Sequence, residues 1–392
     1  MEHHFVDCTL DDSRLTLTRG GEVVAVEPKV FDLIHLLVRH AGELVTRDRM
    51  IEEVWGGRIV SESAISACIA AARKAVGDDG KAQAVIRTVA RRGLMLVAPV
   101  SGDAPAAPQV AAPDDATPRL RYARSRTGQP LAYAVSGQGT PVLYSGYSQT
   151  DVELDWTARP FRPLYDAIGA RHQLVRYDPV GTGRSGLDMT GHDLDQRAED
   201  LRAVADAAGL DRFALFTQSG GCLQAIRFAA RYPERVDRLV INGGYAEGRA
   251  RRAGGTGTET MRSMISEGWE KPESSFGLAF SLLYYPEGPL DLAQEIVELM
   301  RRACPTANML QIRDMINEAC VLDDLPHVSC PTLIIQSRRD TVHPLSEAQK
   351  LAAGIAQAEL VVLDTANHVP LPGTPAWEPF LRTLLGFLEG AR

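Results

Sequence analysis

Residues 213–230 read FALFTQSGGCLQAIRFAA. An apolar run, Phe213 to Gln218, passes without a break into Ser219, Gly220 and Gly221 and then into a helical pattern. A parallel strand buried on both faces reads as such a continuous run. Small residues beside the serine permit a sharp turn, and a strand–turn–helix context is where a G-x-S-x-G-like elbow lifts a serine hydroxyl above a sheet. The N-terminus of the helix that follows favours negative charge nearby. Thr217 stands where glycine is commonest, and a lone Ser-Gly-Gly is ordinarily a loop, so this turn implies chemistry only if partners exist.

Partners are found further along the chain. LRYARSR, PLAYAVSG, PVLYSG, QLVRYD, FALFTQ, RLVINGG, TLIIQS and LVVLDT have strand character. Helical stretches such as LDQRAEDLRAVADAAG, LQAIRFAARYP and SEAQKLAAGI lie between them. The alternation predicts a doubly wound α/β sheet. Open α/β sheets build their sites at the C-terminal edges of strands. Asp340 follows TLIIQS and His368 follows LVVLDT, each at such an edge. A serine nucleophile needs a base and the base needs an orienting acid, and the chain order serine, acid, histidine suits this sheet. RLVINGG ends without an acid, which leaves Asp340. Of the eight other histidines, His343 is the nearby rival to His368.

Residues 119–392 resemble the α/β-hydrolase family. Tyr177 to Ser185, YDPVGTGRS, is similar to its D-x-x-G-x-G-x-S turn, and Tyr144-Ser145-Gly146-Tyr147 stands where a His-Gly pair precedes the oxyanion loop. The resemblance implies catalytic roles for Ser219, Asp340 and His368, and an oxyanion hole from the backbone N–H groups of Tyr147 and Gly220. Haloalkane dehalogenase and epoxide hydrolase readings weaken, because those enzymes place an aspartate at the nucleophile position. An insertion at about 245–328, with helical stretches around Met261–Ile265 and Leu310–Cys320, is expected as a cap. Trp269, Phe276, Phe280, Tyr284 and Tyr285 lie in it. Most should pack the cap's own core, with one or two lining an apolar pocket.

Ahead of this region, 101–118 reads SGDAPAAPQVAAPDDATP, in which ten of eighteen positions are Ala or Pro. It is expected as a linker with a reach of about 25 Å if flexible. Residues 1–100 form the first domain. Strand-like HFVDCTL, RLTLTR and GEVVAVE come first. Pro28 suits the first turn of a helix that Gly42 stops. Thr46 caps a second helix and Ser61 starts a third that runs to Gly77. VIRTVA and GLMLVAP then flank Arg91-Arg92 in a hairpin, and Lys81 to Arg92 contains no acid.

Strands, three helices and a terminal hairpin in this order make a winged helix (α+β). EPKVFDLIHLLVRHAGELVTRDRMIEEVWGG, SESAISACIAAARKAVGDDG and IRTVARRG closely resemble the OmpR/PhoB-type DNA-binding domain over about residues 5–99. The resemblance implies that helix 61–77 enters the major groove with hairpin 85–98 as the wing. Arg58, Ser63, Ala67, Arg73, Arg87, Thr88, Arg91 and Arg92 are the positions it places near DNA. Two departures stand out. The outer face of the third helix carries alanine and serine where relatives often carry arginine, which leaves few groups for bidentate contacts to guanine. Leu94 replaces an aromatic residue after the wing glycine.

Composition narrows the function classes. The chain has 392 residues, 45% hydrophobic and 23% charged, a globular mix. No apolar run reaches the roughly 18 residues of a membrane span, so no membrane association is expected. MEHHFVDC lacks a signal pattern, and the six scattered cysteines form no CxxC pair; a cytoplasmic location is expected. The net charge of −8 restricts any nucleic-acid contact to a local patch. No motif implies a metal or cofactor. With no receiver domain ahead of the winged helix, the second domain is the expected sensor. The expected function is a DNA-binding transcriptional regulator, working as a homodimer. Its hydrolase domain binds, and if competent cleaves, a small apolar ester, lactone or related carbonyl ligand. The alternative is a cytoplasmic serine esterase or lactonase in which the winged helix serves localisation or assembly.

Overall fold

The computed structural model describes residues 2–12, 14–42, 45–56, 60–81, 83–89, 93–98, 100–102, 118–252, 258–271 and 275–390. The chain divides into two compact units, Met1–Val110 and Ala111–Arg392.

In the first unit, HFVDCTL is a hairpin rather than one strand. Glu2–Phe5 pairs antiparallel with Cys8–Asp11, and Val6 turns the chain at φ 52°. Thr16–Arg19 and Glu22–Val24 extend the sheet on one side, and Val100–Gly102 adds to it on the other. Ser101 and Gly102, expected in the linker, therefore belong to this sheet; 103–117 lie outside the described residues. The helix Pro28–Arg39 has proline in its first turn and buries Val30, Phe31, Leu33, Ile34, Leu37 and Val38. Thr46 and Ser61 cap the helices Arg47–Trp55 and Glu62–Ala75, each hydroxyl accepting from a backbone N–H three residues on at 3.3 Å, a bond typically worth about 1 kcal/mol. Ile86–Val89 and Gly93–Leu96 form the antiparallel hairpin, and Val45–Thr46 joins its second strand. Leu94 is buried in the core under these helices.

The second unit carries eight strands in one sheet. Their spatial order is Ala358–Leu363, Thr332–Ser337, Val236–Asn242, Phe213–Gln218, Thr140–Ser145, His172–Tyr177, Pro130–Ser136, Leu120–Arg124. Pro130–Ser136 runs antiparallel to both of its neighbours, and the other pairs are parallel. Every residue of Phe213–Gln218 and Thr332–Ser337 is buried, as central strands with helices on both faces require. Between Val236–Asn242 and Thr332–Ser337 the chain forms the helices Thr258–Gly268, Phe276–Tyr284, Leu290–Ala303 and Thr306–Glu318. Their apolar faces join the same core as the sheet.

Candidate active site

Ser219 sits between the strand Phe213–Gln218 and the helix Gly221–Arg231 with φ 51°, in the left-handed region. A non-glycine residue there is uncommon and signals a constraint imposed by its surroundings. One clamp is its own N–H, which donates to the Asn242 carbonyl of the next strand at 2.9 Å. A second is crowding at Gly221, where a Cβ would lie 2.2 Å from the Gly146 carbonyl oxygen and 2.4 Å from that of Ser145. Only glycine lets the segment Ser145–Tyr147 approach the helix start so closely.

The Ser219 hydroxyl lies 2.8 Å from His368 Nε2, and His368 Nδ1 lies 2.8 Å from Asp340 Oδ2. The Asp340 carboxylate also accepts from the Gln336 amide at 3.0 Å and from the backbone N–H groups of Val342 and His343 at 2.8 and 3.2 Å. Those donors fix the carboxylate so that Oδ2 faces the imidazole. An ionised Asp340 draws the imidazole proton to Nδ1 and leaves the Nε2 lone pair facing Ser219. Asp340 and His368 have fully buried side chains, which strengthens the polar chain by excluding water.

The residues holding His368 in place come from the cap. Its N–H donates to the Tyr284 carbonyl at 2.7 Å, and the Tyr284 ring meets its imidazole edge-on with centroids 5.4 Å apart. Glu287 accepts from the Thr365 hydroxyl at 2.6 Å and the Ala366 N–H at 2.9 Å. With Arg339 as a further donor, these bonds hold its carboxyl down to about 2. Asn367 accepts from the Glu287 N–H and donates to the Gly288 carbonyl. Sequence reading passed over Glu287 and Asn367, because nothing local marks residues that bond to a segment some eighty positions away.

His343, the rival histidine, takes another role. It stacks on Tyr245 at 3.9 Å and lies edge-on to His368 at 5.2 Å. Its Nδ1 accepts from Arg252 at 2.7 Å. Burial, then the neighbouring His368, Arg252, Arg249 and Arg313, hold its pKa well below the ordinary value. It is a neutral spacer rather than a base.

Tyr147 and Gly220 flank the elbow, both buried. Among the described residues, neither of their N–H groups has a protein acceptor. Ser145, in place of the usual histidine, supports this segment by donating to the Gly221 carbonyl at 3.4 Å and accepting from Gln224 at 3.1 Å. The Asp178–Ser185 turn acts as a brace. Asp178 accepts from the Thr150 hydroxyl and from the N–H groups of Val152 and Arg184.

The cap aromatics separate into two groups. Trp269, Phe276 and Phe280 pack edge-to-face at 5.6 to 6.1 Å, and Trp269 donates to the Cys304 carbonyl. They form cap core. Tyr284 stacks on Phe280 at 4.3 Å and is the one of the five cap aromatics whose ring meets that of His368. The cleft beside the triad is lined by Tyr245, Arg249, Met261, Leu283, Tyr284, Arg313, Ile316, Asn317, Val342 and His343, among others. Its wall is mixed rather than the apolar one expected from sequence, because the cap helix Thr306–Glu318 brings in Arg313 and the turn after Val236–Asn242 brings in Arg249.

In the first unit, Ser63, Ala67, Arg87 and Thr88 are exposed. Arg73 is tied down. It donates to the Ile86 carbonyl at 3.1 Å and to the Thr88 hydroxyl at 2.7 Å, so it braces the wing against the third helix. The Ser63 hydroxyl pairs with that of Ser61 at 3.0 Å. Arg58, Arg91 and Arg92 lie outside the described residues. Among the described residues, His3, Asp12 and His35 are the group of three with ligand atoms close enough to share a cation. No described helix is long and apolar enough to cross a membrane.

Comparison with known proteins agrees with both units. Residues 168–372 match the family described as serine aminopeptidase, S33, and residues 21–96 match the transcriptional regulatory protein C-terminal domain. A candidate carbamate hydrolase, RutD, of Azorhizobium caulinodans is 29% identical over 263 residues, 66% of this chain and 94% of the relative. An esterase from Exiguobacterium antarcticum has the same fold at 21% identity and a TM-score of 0.59, over 69% of this chain and 100% of its own. The enol-lactonase from Burkholderia xenovorans LB400 aligns at 20% identity and a TM-score of 0.52, again over 69% of this chain and 100% of its own.

Proposed function

The chain belongs to the serine aminopeptidase S33 family of α/β-hydrolases and carries an OmpR/PhoB-type DNA-binding domain at its N-terminus, and from this we propose that it is a regulator whose second domain binds and hydrolyses a small carbonyl compound. The observation that carries the hydrolytic part is the unbroken chain Ser219 Oγ, His368 Nε2 and Nδ1, Asp340 Oδ2, with both links at 2.8 Å. In this reading Ser219 attacks the carbonyl as its proton passes to Nε2. The oxyanion is met by the N–H groups of Tyr147 and Gly220, each worth about 10²–10³ in rate. His368 returns the proton to the leaving oxygen or nitrogen, an acyl-serine forms, and water cleaves it by the same steps. Asp340 keeps the proton on Nδ1 and stabilises the imidazolium. Esters, lactones and carbamates all suit this chemistry, and relatives bear names from each class.

Regulation follows if ligand binds one arrangement of two DNA-binding modules better than another, for which a cytoplasmic homodimer is the simplest assembly. Exposed Arg87, with Arg58, Arg91 and Arg92, supplies the phosphate contacts.

One observation favours a second reading, a plain esterase or lactonase with an accessory winged helix. The outer face of Glu62–Ala75 offers Ser63 and Ala67, and Arg73 is committed to the hairpin, so little remains for reading bases.

The first experiment exposes the protein to a fluorophosphonate and maps the modified peptide. Labelling of Ser219 that disappears in His368→Ala supports the hydrolase. Folded protein that takes no label refutes it.

A further inference from the structure

The cleft lined by Tyr284 and His343, the two rings that flank His368, holds more positive charge than acyl transfer needs. Arg313 and Arg249 both line it. Arg313 lies on the cap helix Thr306–Glu318, three residues before Ile316, about 4.5 Å along the helix and on the same face. Ile316 Cδ1 stands 3.8 Å from the place a Cβ on Gly220 would occupy. Arg313 thus stands less than one helical turn from the residue that makes the contact over the elbow.

Its own contacts hold it there without neutralising it. Nη2 donates to the Tyr284 hydroxyl at 2.7 Å, and the guanidinium lies over the rings of Phe280 and Tyr284, 5.6 and 5.9 Å from their centroids. Nε is buried with no hydrogen-bond partner among the described residues. Arg249 donates to the Val342 carbonyl at 3.4 Å. Among the described residues, neither arginine has a carboxylate within 4.0 Å. Arg252 beside them does, with Glu347 at 3.7 Å. Burial first, then His368, depress the His343 pKa, and all three arginines add to that depression. A buried N–H donor without an acceptor is costly, and a guanidinium fork is matched to a carboxylate.

We propose that the substrate of this site carries a carboxylate, held by Arg313 and Arg249 while Ser219 attacks an ester or lactone carbonyl elsewhere in the same small molecule. This rests on the hydrolase reading above, and the test separates the two. The full chain carrying Ser219→Ala is titrated calorimetrically with malonate, succinate, glutarate and adipate, and with the dimethyl ester of each. At least one diacid should bind with a Kd of about 1 mM or tighter. It should bind at least about tenfold tighter than its dimethyl ester, and more weakly as salt is added. Arg313→Met added to this background should weaken binding about tenfold. Arg249→Gln provides the same test if Arg313→Met fails to fold. The proposal is overturned if no diacid binds, if the dimethyl esters bind equally well, or if the folded arginine variants bind as the parent does. Fluorophosphonate labelling of Ser219 in the wild-type chain is scored separately. Diacid binding without labelling keeps the anion site and removes the hydrolase; labelling without diacid binding does the reverse.

Discussion

Gly221→Ala probes the geometry at the elbow without touching Ser219, His368 or Asp340. The new methyl would lie 2.2 and 2.4 Å from the carbonyl oxygens of Gly146 and Ser145, and 2.9 Å from the Thr217 hydroxyl. The helix start is locked by the bond from Ser219 N–H to Asn242, so the segment Ser145–Tyr147 must recede, by about 1 Å, a displacement that typically costs about 10²-fold in rate. Removing an oxyanion donor outright costs about 10²–10³, so kcat should fall about 10²-fold. KM should change little, because the lost contact belongs to the transition state. The assay is steady-state hydrolysis of p-nitrophenyl acetate, with thermal melting to show that the variant is folded. Gly220→Ala makes a useful comparison. Its methyl meets the Ser148 hydroxyl at 3.1 Å and nothing else within 3.5 Å, and a side chain can rotate away, so it should lose far less. A folded Gly221→Ala enzyme with kcat within about threefold of wild type would refute the placement of the Tyr147 N–H in the oxyanion hole.

Three further outcomes are expected. Asp340→Asn should lower kcat by about 10⁴ while Ser219 and His368 stay in place, since the amide favours the wrong imidazole tautomer; retention of a tenth of the activity would show that Asp340 is not the orienting acid. Burial pushes Asp178 up to about 7, and burial followed by repulsion from Asp178 raises Asp155 well above its usual range. Between about pH 4 and 7 the folded chain then holds protons that the unfolded chain has released, so stability should fall as pH rises across that window. Asp155→Asn should flatten this part of the melting curve against pH, and an unchanged slope would show that Asp155 holds no such proton. In the first unit, Arg87→Ala should weaken DNA binding and reduce the steepness of its salt dependence by about one phosphate contact; equal binding at every salt concentration would remove Arg87 from the interface.

The elements and the elbow were legible because each leaves a local mark. Several strands of the large sheet, Phe213–Gln218 and Thr332–Ser337 among them, are continuous runs buried throughout, and Thr46 and Ser61 are caps that a few consecutive residues define. Ser219, Asp340 and His368 could be selected because each follows a strand that ends at the same edge of the sheet. HFVDCTL misled because its alternating pattern continues through Val6, whose left-handed backbone no residue type announces.

The residues around the triad carry no comparable mark. Trp269, Phe276, Phe280 and Tyr284 are equivalent as aromatic residues on cap helices, and only the packing puts Tyr284 against His368 and the rest in the cap core. Glu287 and Asn367 form their bonds across a span of eighty residues. Arg249, Arg252 and Arg313 read alike in the sequence, yet one pairs with Glu347 and two line the cleft with no carboxylate within 4.0 Å among the described residues. Backbone preference and hydrophobic period act over a few residues, so the sequence alone determined the strands, the caps, the elbow and the order of its partners. Pairing of charges and choice among equivalent side chains depend on which distant segments meet, and that was decided only when the cap closed on the sheet.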